Sequence, residues 1–321
     1  MNIFRRSFVR FTLVLLTAAL PCAAAKNSSS PAANPGTVEI SSPSDFGRVA
    51  VISDIHGMYG PLVSLLRAGN IINETGGWSA GKTLLIVTGD SLDKGDNIVD
   101  TLDLWIALSG QAAAYGGRVI HLLGNHEAEF LSDPKNSRKA KVFREELKKK
   151  DIPLKEYTRP GHARADFLLA MPAAAKVGKW LFCHAGLMPA MTWEGLSLKA
   201  GKALGAGNYS APILLGGDSI LEAKDWWDSP AGRQELEARL TAAGLYGVVF
   251  GHQPKALNVE GASAVTADRR IVKIDNGMPP EAGRHPGSLL VFPAPAEMEK
   301  AEPASMEIIT QSGTAAPLLP R

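Results

Sequence analysis

The chain has 321 residues, of which 45% are hydrophobic, so it is long enough to bury one large core or two modest ones. Its formal net charge is only +2 at pH 7, so there is no global positive field to attract nucleic acid or an anionic membrane, and we expect no nucleic-acid partner. The two cysteines, Cys22 and Cys183, are too few for a disulfide framework.

The first 25 residues have the layout of an export signal peptide. Arg5, Arg6 and Arg10 surround the start of a short apolar stretch, and residues 23–25 offer a small-residue cleavage site. That stretch is too short to span a bilayer, so we expect no stable membrane insertion. The paired arginines resemble a twin-arginine export motif, which predicts the twin-arginine machinery as a partner; an ordinary secretory signal is the alternative.

Cleavage after Ala25 would change both the charge and the cysteine count. Lys and Arg would fall from 34 to 31 against 32 acidic residues, for a formal net charge of −1, and Cys183 would have no disulfide partner. We therefore expect a periplasmic or secreted protein that is stabilised by something other than disulfides, and bound metal is one candidate.

Residues 26–46 are rich in Ser, Pro, Asn and Gly without a hydrophobic period, which is typical of a linker. From residue 48, short apolar runs alternate with amphipathic segments, and this pattern predicts an α/β fold with βαβ units around a buried sheet. Strands are predicted at residues 48–53, 83–88, 118–123, 179–183, 246–250, 263–267, 270–276 and 288–293. Helices are predicted at residues 59–70, 96–114, 193–204, 219–228 and 231–243, with another starting near Glu127. The last three strands are expected to be antiparallel and to close the second half of the sheet.

The sequence pattern places two segments outside this core. Residues 136–150 predict a strongly basic helix with few apolar positions, which we interpret as a solvated face of an insert, residues 127–178. Residues 294–321 are rich in Ala and Pro and predict a poorly ordered tail. The remaining residues, 47–293, are assigned to one catalytic domain.

A cluster of polar residues and glycines follows each of five predicted strands. The clusters are Asp54-Ile55-His56-Gly57, Gly89-Asp90-Ser91-Leu92-Asp93-Lys94-Gly95, Gly124-Asn125-His126-Glu127, His184-Ala185-Gly186 and Gly251-His252. Because open α/β sheets bind ligands at the carboxyl ends of their strands, we expect these side chains to meet at one edge. Each cluster alone is a weak signal, since a lone histidine after a strand is more often a core residue. Together they predict a metal centre.

The residue types indicate which ions would bind. Oxygens of Asp and Asn combined with imidazole nitrogens suit first-row divalent ions such as Mn, Fe, Co or Zn. Asp54 and His56 could hold one ion, and Asp90 could bridge to a second. The second ion is assigned to Asn125, His184 and His252. Two ions roughly 3.5–4 Å apart can generate hydroxide at neutral pH and stabilise an in-line displacement at phosphorus.

Three further residues are predicted to act on the substrate. His126 directly follows a predicted ligand and is expected to face the substrate, where it could protonate the leaving group with Asp93 as its carboxylate partner. Lys94 would supply positive charge to the non-bridging phosphate oxygens.

The complete motif set, over residues 48–253, resembles the calcineurin-like metallophosphoesterase superfamily. The glycine after His56 and the complete G-N-H-E make it most similar to the phosphoprotein phosphatase (PPP) branch, in particular the bacterial Shewanella-like phosphatases. The resemblance implies a four-layer α/β/β/α sandwich, α+β in some schemes, with a dimetal site at the strand ends and no covalent phosphoenzyme. It also implies six metal ligands, of which Asp90 bridges, and an acid dyad of Asp93 and His126. These ligands are Asp54, His56, Asp90, Asn125, His184 and His252.

Two departures from the family pattern concern phosphate binding. The family usually has Arg at the position of Lys94, and Lys cannot form the planar bidentate contact that Arg makes. The family's other phosphate-binding arginine has no secure match. Arg233 is the first candidate, followed by Arg164 and Arg159, and for each an ordinary surface salt bridge is the alternative.

The function these observations favour is a dimetal-dependent phosphoric monoester hydrolase. It would dephosphorylate Ser, Thr or Tyr of proteins by in-line attack of a metal-bridging hydroxide, with His126 as general acid and Asn125 also contacting the phosphate. One alternative is a nucleotide phosphodiesterase or pyrophosphohydrolase, such as a dinucleoside tetraphosphatase. Another is a non-catalytic, metal-stabilised binding protein of the cell envelope. The expected partners are therefore a phosphorylated protein or a small phosphoester.

Overall fold

The computed structural model describes residues 34–320, so the predicted export signal and the first part of the predicted linker lie outside the described residues. The strands are β1 (Thr37–Ile40), β2 (Arg48–Ile52), β3 (Thr83–Val87), β4 (Arg118–His121), β5 (Ala174–Val177), β6 (Trp180–Cys183), β7 (Gly247–Phe250), β8 (Ala264–Val265), β9 (Ile271–Lys273), β10 (Leu289–Phe292), β11 (Glu307–Ile309) and β12 (Ala315–Pro317). The helices are α1 (Tyr59–Ala68), α2 (Ile98–Ala114), α3 (Asn125–Ser132), α4 (Lys141–Lys149), α5 (Lys155–Thr158), α6 (Ala163–Leu169), α7 (Trp193–Gly205) and α8 (Pro230–Ala242).

The strands form two six-stranded sheets. Sheet I has the order β12-β11-β10-β2-β3-β4, and sheet II has the order β1-β5-β6-β7-β9-β8. In sheet I, β2, β3 and β4 are parallel, and in sheet II, β6, β7 and β9 are parallel. Parallel strands present their carboxyl ends at one edge, so the loops after β2, β3 and β4 emerge together, as do those after β6 and β7.

The sheets pack face to face and helices cover their outer faces. Along β2, Val49 and Val51 belong to the apolar cluster between the sheets, together with Phe182 and Val249 of sheet II. The alternate residues of β2 pack with α1 and α2 on the other face. Helices α7 and α8 cover the outer face of sheet II. This period of two along a strand buried on both faces produces the predicted four-layer α/β/β/α sandwich.

Most predicted elements are present, but two predictions are wrong. Residues 219–228 form turns and bends instead of a helix, and Asp225 there has a left-handed backbone with φ of 57°. The strand predicted at 288–293 is β10, which pairs antiparallel with β2 and therefore belongs to sheet I. β8 and β9 form the expected antiparallel pair in sheet II.

The C-terminal segment is ordered into the fold, contrary to the predicted tail. β11 pairs with β10 and β12 pairs with β11, so this segment extends sheet I. Met298 and Met306 are buried in the cluster between the sheets. The segment is rich in Ala and Pro, so its few apolar residues did not stand out in the sequence. Their burial between the sheets nevertheless attaches the segment to the core. Similarly, the predicted linker contributes β1, which pairs with β5.

The basic segment 136–150 is more than a solvated face. It consists of a 3-10 helix, Arg138–Ala140, followed by α4, whose Phe143 and Leu147 are buried. Glu146, also buried, accepts hydrogen bonds from the backbone N–H groups of Ile98 (2.7 Å) and Val99 (3.3 Å) at the start of α2. A carboxylate at a helix N-terminus satisfies donors that have no intrahelical partner. The insert is therefore attached directly to the element that follows Lys94.

Two other properties bear on stability and location. Cys183 is a free, fully buried thiol, and burial raises its pKa to about 12, so it packs as a small hydrophobic residue. Within residues 34–320, none of the helices combines the length and the apolar character that crossing a membrane requires.

Candidate metal centre

Asp90, in the loop after β3, lies at the centre of three imidazoles. Its Oδ2 atom is 3.3 Å from His184 Nε2, 3.5 Å from His56 Nε2 and 3.9 Å from His126 Nε2. These histidines follow β6, β2 and β4, so both sheets supply side chains to one point. The close approach predicted from widely separated sequence positions is therefore present.

The donor atoms form two groups that share Asp90. One group is Asp90, His56 and His126, the other is Asp90, His184 and His252, and within each the donor atoms lie within 4.8 Å of one another. The second group matches the predicted second ion. The first group contains the predicted His56 and also His126. The expected general acid therefore lies closer to the donors of the first ion than the sequence indicated.

Asp54 and Asn125 complete the two groups. Asp54 Oδ1 lies 3.9 Å from His56 Nε2, and the Asp54 carboxylate accepts hydrogen bonds from the backbone N–H of His252 and the hydroxyl of Ser53. Asn125 Oδ1 lies 3.0 Å from His184 Nε2. All six predicted ligands are thus brought together.

The histidines are held in orientations suited to metal binding. His56 Nδ1 contacts the carbonyl of Leu92 at 2.9 Å, and His184 Nδ1 contacts that of Thr88 at 3.0 Å. A carbonyl requires a proton on Nδ1, so Nε2 is the nitrogen that faces Asp90 and can bind an ion when it carries no proton, and such contacts orient metal-binding histidines in many proteins. His252 instead presents Nδ1, which lies 3.2 Å from His184 Nε2.

The backbone around these residues adopts a conformation that is rare for residues other than glycine. Left-handed φ values between 47° and 69° occur at Asp54, His56, Asp90, Asp93, Lys94 and His252. Each costs roughly 1–3 kcal/mol unless its surroundings impose it, and such residues cluster at functional sites. The glycines are also required: a Cβ atom on Gly124 would lie 2.0 Å from Asp90 Oδ1.

Glu127 supports the loop that carries Asp90, a role the sequence did not reveal. Its buried carboxylate accepts hydrogen bonds of 2.8–3.0 Å from four backbone N–H groups, those of Asp90, Ser91, Leu92 and Gly124. Burial, together with the negative charge of Asp90, raises the pKa of Glu127 to about 7. The glutamate of the G-N-H-E motif thus holds together the loops after β3 and β4.

The electrostatics of the centre favour bound cations. Burial raises the pKa of Asp54 to about 6. Burial also opposes ionisation of Asp90, but His184 and His126 outweigh it and hold the pKa of Asp90 well below its usual range. Against the effect of burial, the Asp90 carboxylate raises the pKa of His184 to about 9. Without metal, a proton on His184 therefore compensates part of the buried negative charge.

The chemistry of this donor set fits two divalent ions. All the donors except the half-buried His252 are buried; they combine carboxylate, amide and imidazole groups and share one carboxylate between two positions. Asp54, His56 and Asp90 would hold one ion, and Asp90, Asn125, His184 and His252 the other. The same donors suit Mn, Fe, Zn or Co.

The predicted pair of Asp93 and His126 is close but does not form a direct hydrogen bond. His126 Nδ1 contacts the backbone carbonyl of Lys139 at 2.8 Å, whereas the Asp93 carboxylate lies 4.0 Å away and accepts from the N–H of Phe143. Burial lowers the pKa of His126, and the carboxylates of Asp90 and Asp93 partly offset this effect. The insert, through Lys139, therefore orients the ring of His126.

Lys94 reaches the centre itself. Its Nζ atom lies 2.9 Å from His56 Nε2, the nitrogen that would bind the ion. One lone pair cannot serve both partners, so metal binding at His56 and this hydrogen bond exclude each other. A bound ion would release the Lys94 ammonium within reach of an incoming anion.

The contacts of Arg233 give no support to its predicted role in phosphate binding. Its guanidinium donates to the carbonyl of Trp227 at 2.6 Å, and it lines a separate pocket of about 410 Å³ with Glu237 and Asp268. The reason is its position in the first turn of α8, from which the side chain folds back over the turn before the helix.

The other two arginine candidates are also elsewhere. Arg164 forms ion pairs of 2.7 Å with Asp103 and Glu156, which is the salt-bridge alternative, and Arg159 is exposed at the end of α5. A cation that does lie beside the centre is Lys139 of the insert, which the sequence did not single out because it belongs to a run of basic residues.

Comparison with known proteins matches residues 47–275 to the family described as calcineurin-like phosphoesterase. Shewanella-like protein phosphatase 1 of Plasmodium berghei is 29% identical over 143 residues, which cover 44% of this chain and 39% of that protein. The chain spans between 20% and 39% of the lengths of the relatives it matches by sequence.

Solved structures show the same fold. The cold-active protein-tyrosine phosphatase of a psychrophilic Shewanella species has a TM-score of 0.69 at 20% identity, over 88% of this chain and 82% of that one. A Saccharomyces cerevisiae protein serine/threonine phosphatase with similarity to human PP5 has a TM-score of 0.58 at 18% identity, over 86% and 84%. Since the family match extends over most of the chain and includes all six predicted metal-binding residues, the protein belongs to the calcineurin-like phosphoesterase family.

Proposed function

We propose that this protein is a dimetal-dependent phosphomonoesterase that removes phosphate from Ser, Thr or Tyr side chains of proteins. The observation that carries the proposal is the position of Asp90, whose carboxylate joins two complete groups of metal donors. When bound there, two divalent ions lower the pKa of water and neutralise charge on phosphoryl oxygens.

The residues of the chain supply the remaining steps. His126 has Nδ1 held by the Lys139 carbonyl and Nε2 directed toward the centre, so a proton on Nε2 can pass to the leaving oxygen. Asp93, 4.0 Å from the ring, stabilises the protonated imidazole. Lys94 and the Asn125 amide would contact the non-bridging oxygens, and burial of the centre would strengthen these charge interactions.

Protein substrates are favoured by the resemblance to Shewanella-like phosphatases and by the names of the relatives. Two of these relatives are named Shewanella-like protein phosphatases, and the solved Shewanella structure is titled a protein-tyrosine phosphatase. Because residues 1–25 are predicted to be a signal peptide, we also propose that the enzyme acts in the periplasm or outside the cell. Manganese is one of the ions that we propose it uses there.

A substrate panel tests the proposal. Metal-loaded protein should hydrolyse phosphopeptides and p-nitrophenyl phosphate in preference to diadenosine tetraphosphate. A clear preference for the dinucleotide would replace the proposal with a pyrophosphohydrolase. Protein that binds two ions and hydrolyses none of the substrates would instead be a metal-stabilised binding protein.

The His126→Ala variant tests the general-acid role. We expect it to retain two ions and to lose about 10²- to 10⁴-fold in kcat with p-nitrophenyl phosphate, the usual contribution of a general acid. His162→Ala, before α6, is the control and should behave like the wild type. Turnover at the wild-type rate by a metal-loaded His126→Ala variant would refute this role.

A further inference from the structure

Lys139 lies beside the metal centre with its side chain fixed by two carboxylates. Its Nζ atom is 2.5 Å from Glu129 Oε1, on α3, and 2.7 Å from Glu222 Oε1, in the segment between α7 and α8. A lysine ammonium has three N–H donors, so these ion pairs leave one. The amide of Asn125 lies on the remaining side, with one of its two terminal atoms 2.5 Å from Nζ.

The Asn125 amide has two orientations with different consequences. In one, Nδ2 donates to Asp90 Oδ2 and to nitrogens of His184 and His252, and Oδ1 accepts from Lys139 Nζ. In the other, Oδ1 faces His184 Nε2 at 3.0 Å and Nδ2 faces Lys139. Binding an ion through Asn125 requires the second orientation, because a cation accepts an oxygen ligand and not an NH₂ group.

This second orientation leaves two donors facing each other. Asn125 Nδ2 and Lys139 Nζ both carry hydrogens, and neither can accept from the other. An oxygen atom beside both nitrogens would accept a hydrogen bond from each of them. The group is partly open, since 30% of the Lys139 side chain is exposed to solvent, so an external ligand can reach it.

We propose that Lys139 is the second phosphate-binding cation of this enzyme. Its Nζ and the Nδ2 of Asn125 would donate to a non-bridging phosphoryl oxygen. Lys94, which contacts His56 of the other donor group, would bind the phosphate from that side. Lys139 would thereby fill the role of the family's second phosphate-binding arginine, which has no secure match in this sequence. This inference rests on the proposed phosphatase function.

Lys150, in the same insert, is the matched control that separates phosphate binding by Lys139 from a purely structural role. Lys150 also joins two carboxylates, with its Nζ 3.0 Å from Glu146 Oε1 and 3.1 Å from Asp100 Oδ2, and neither partner belongs to the predicted ligands. The Lys139 carbonyl that orients His126 belongs to the backbone, so replacing the side chain leaves that contact possible.

The test measures binding of inorganic phosphate to metal-loaded protein by calorimetry, metal content by mass spectrometry, and KM and kcat with p-nitrophenyl phosphate. We expect Lys139→Met to retain two ions, to weaken phosphate binding roughly tenfold or more, and to raise KM more than it lowers kcat. Lys139→Arg should recover most of the affinity, because Arg also binds phosphate, and Lys150→Met should match the wild type.

Unchanged phosphate affinity in metal-loaded Lys139→Met would overturn the proposal, and so would an equal loss in Lys150→Met. If Lys139→Met does not fold, Lys139→Gln, which can still hydrogen-bond to the two glutamates, is measured in its place. Loss of metal from both variants would assign the side chain to support of the centre and overturn the proposal. Wild-type protein that neither binds phosphate nor hydrolyses phosphoesters would contradict the proposed function itself.

Discussion

At the scale of single residues, Glu127 shows how one buried carboxylate can organise a metal centre without binding an ion. Its four backbone partners belong to the two loops that carry Asp90 and Asn125. Each N–H group left buried and unpaired costs about 1–3 kcal/mol. The position of Asp90, and therefore of both donor groups, depends on this side chain.

We predict that Glu127→Ala destabilises the metal-free protein by more than about 3 kcal/mol and prevents binding of two ions, because it leaves several donors unpaired. Glu127→Gln should have a smaller effect, since one amide oxygen still accepts. Urea unfolding in EDTA and metal analysis are the measurements. Glu145→Gln removes an exposed pair with Lys141 and should change stability by less than about 1 kcal/mol. A folded, fully metal-loaded Glu127→Ala protein would contradict this role.

The six ligands were predictable because their residue types follow apolar strands, and strand ends of parallel sheets converge. Lys139 and Glu127 were not, because their roles depend on backbone groups and on how the insert folds back. Lys139 is one of several lysines in 136–150, and nothing in that run distinguishes it. A usable signal did exist for the helix: Phe143 and Leu147 are spaced by four and form a buried face.

At the scale of elements, the C-terminal segment shows where composition misleads. β11 covers the edge of β10 and β12 covers the edge of β11, while β10 pairs with β2, the strand that leads to Asp54. The segment also adds Met298 and Met306 to the core between the sheets. Short strands with Ala and Pro lack a clear period, so their pairing is decided by the sheet edge available to them and not by local pattern.

We predict that deleting residues 294–321 destabilises the protein by more than about 4 kcal/mol, since two buried methionines are each worth about 1.5–3 kcal/mol, with further apolar surface lost. Exposing β10 as an edge strand should also promote aggregation. Urea unfolding and light scattering would measure both effects. Deleting only residues 319–321, where Leu319 is exposed, is the control and should be neutral. An unchanged unfolding midpoint in the long deletion would show that the segment is dispensable.

At the scale of the whole molecule, the metal centre is one place where polar side chains from both sheets meet. Its donors follow β2, β3 and β4 of sheet I and β6 and β7 of sheet II, while the one cysteine among residues 34–320 is a free thiol. Ions held by these donors would link the carboxyl ends of five strands, in a region where burial opposes the charges of Asp54 and Glu127. Metal binding should thus act as a cross-link between the sheets.

We predict that chelation of the metals lowers the melting temperature by about 5–10 °C, because an ion at 100 times its dissociation constant stabilises a protein by about 2.7 kcal/mol. Calorimetry of metal-loaded and EDTA-treated protein measures the shift, and hydrogen exchange should increase first in the loops after β3 and β7. Asp90→Asn is the decisive control: because Asp90 belongs to both donor groups, this variant should bind fewer ions and show little metal-dependent shift. Equal melting temperatures with and without two bound ions in the wild type would mean that the centre contributes to catalysis without joining the sheets.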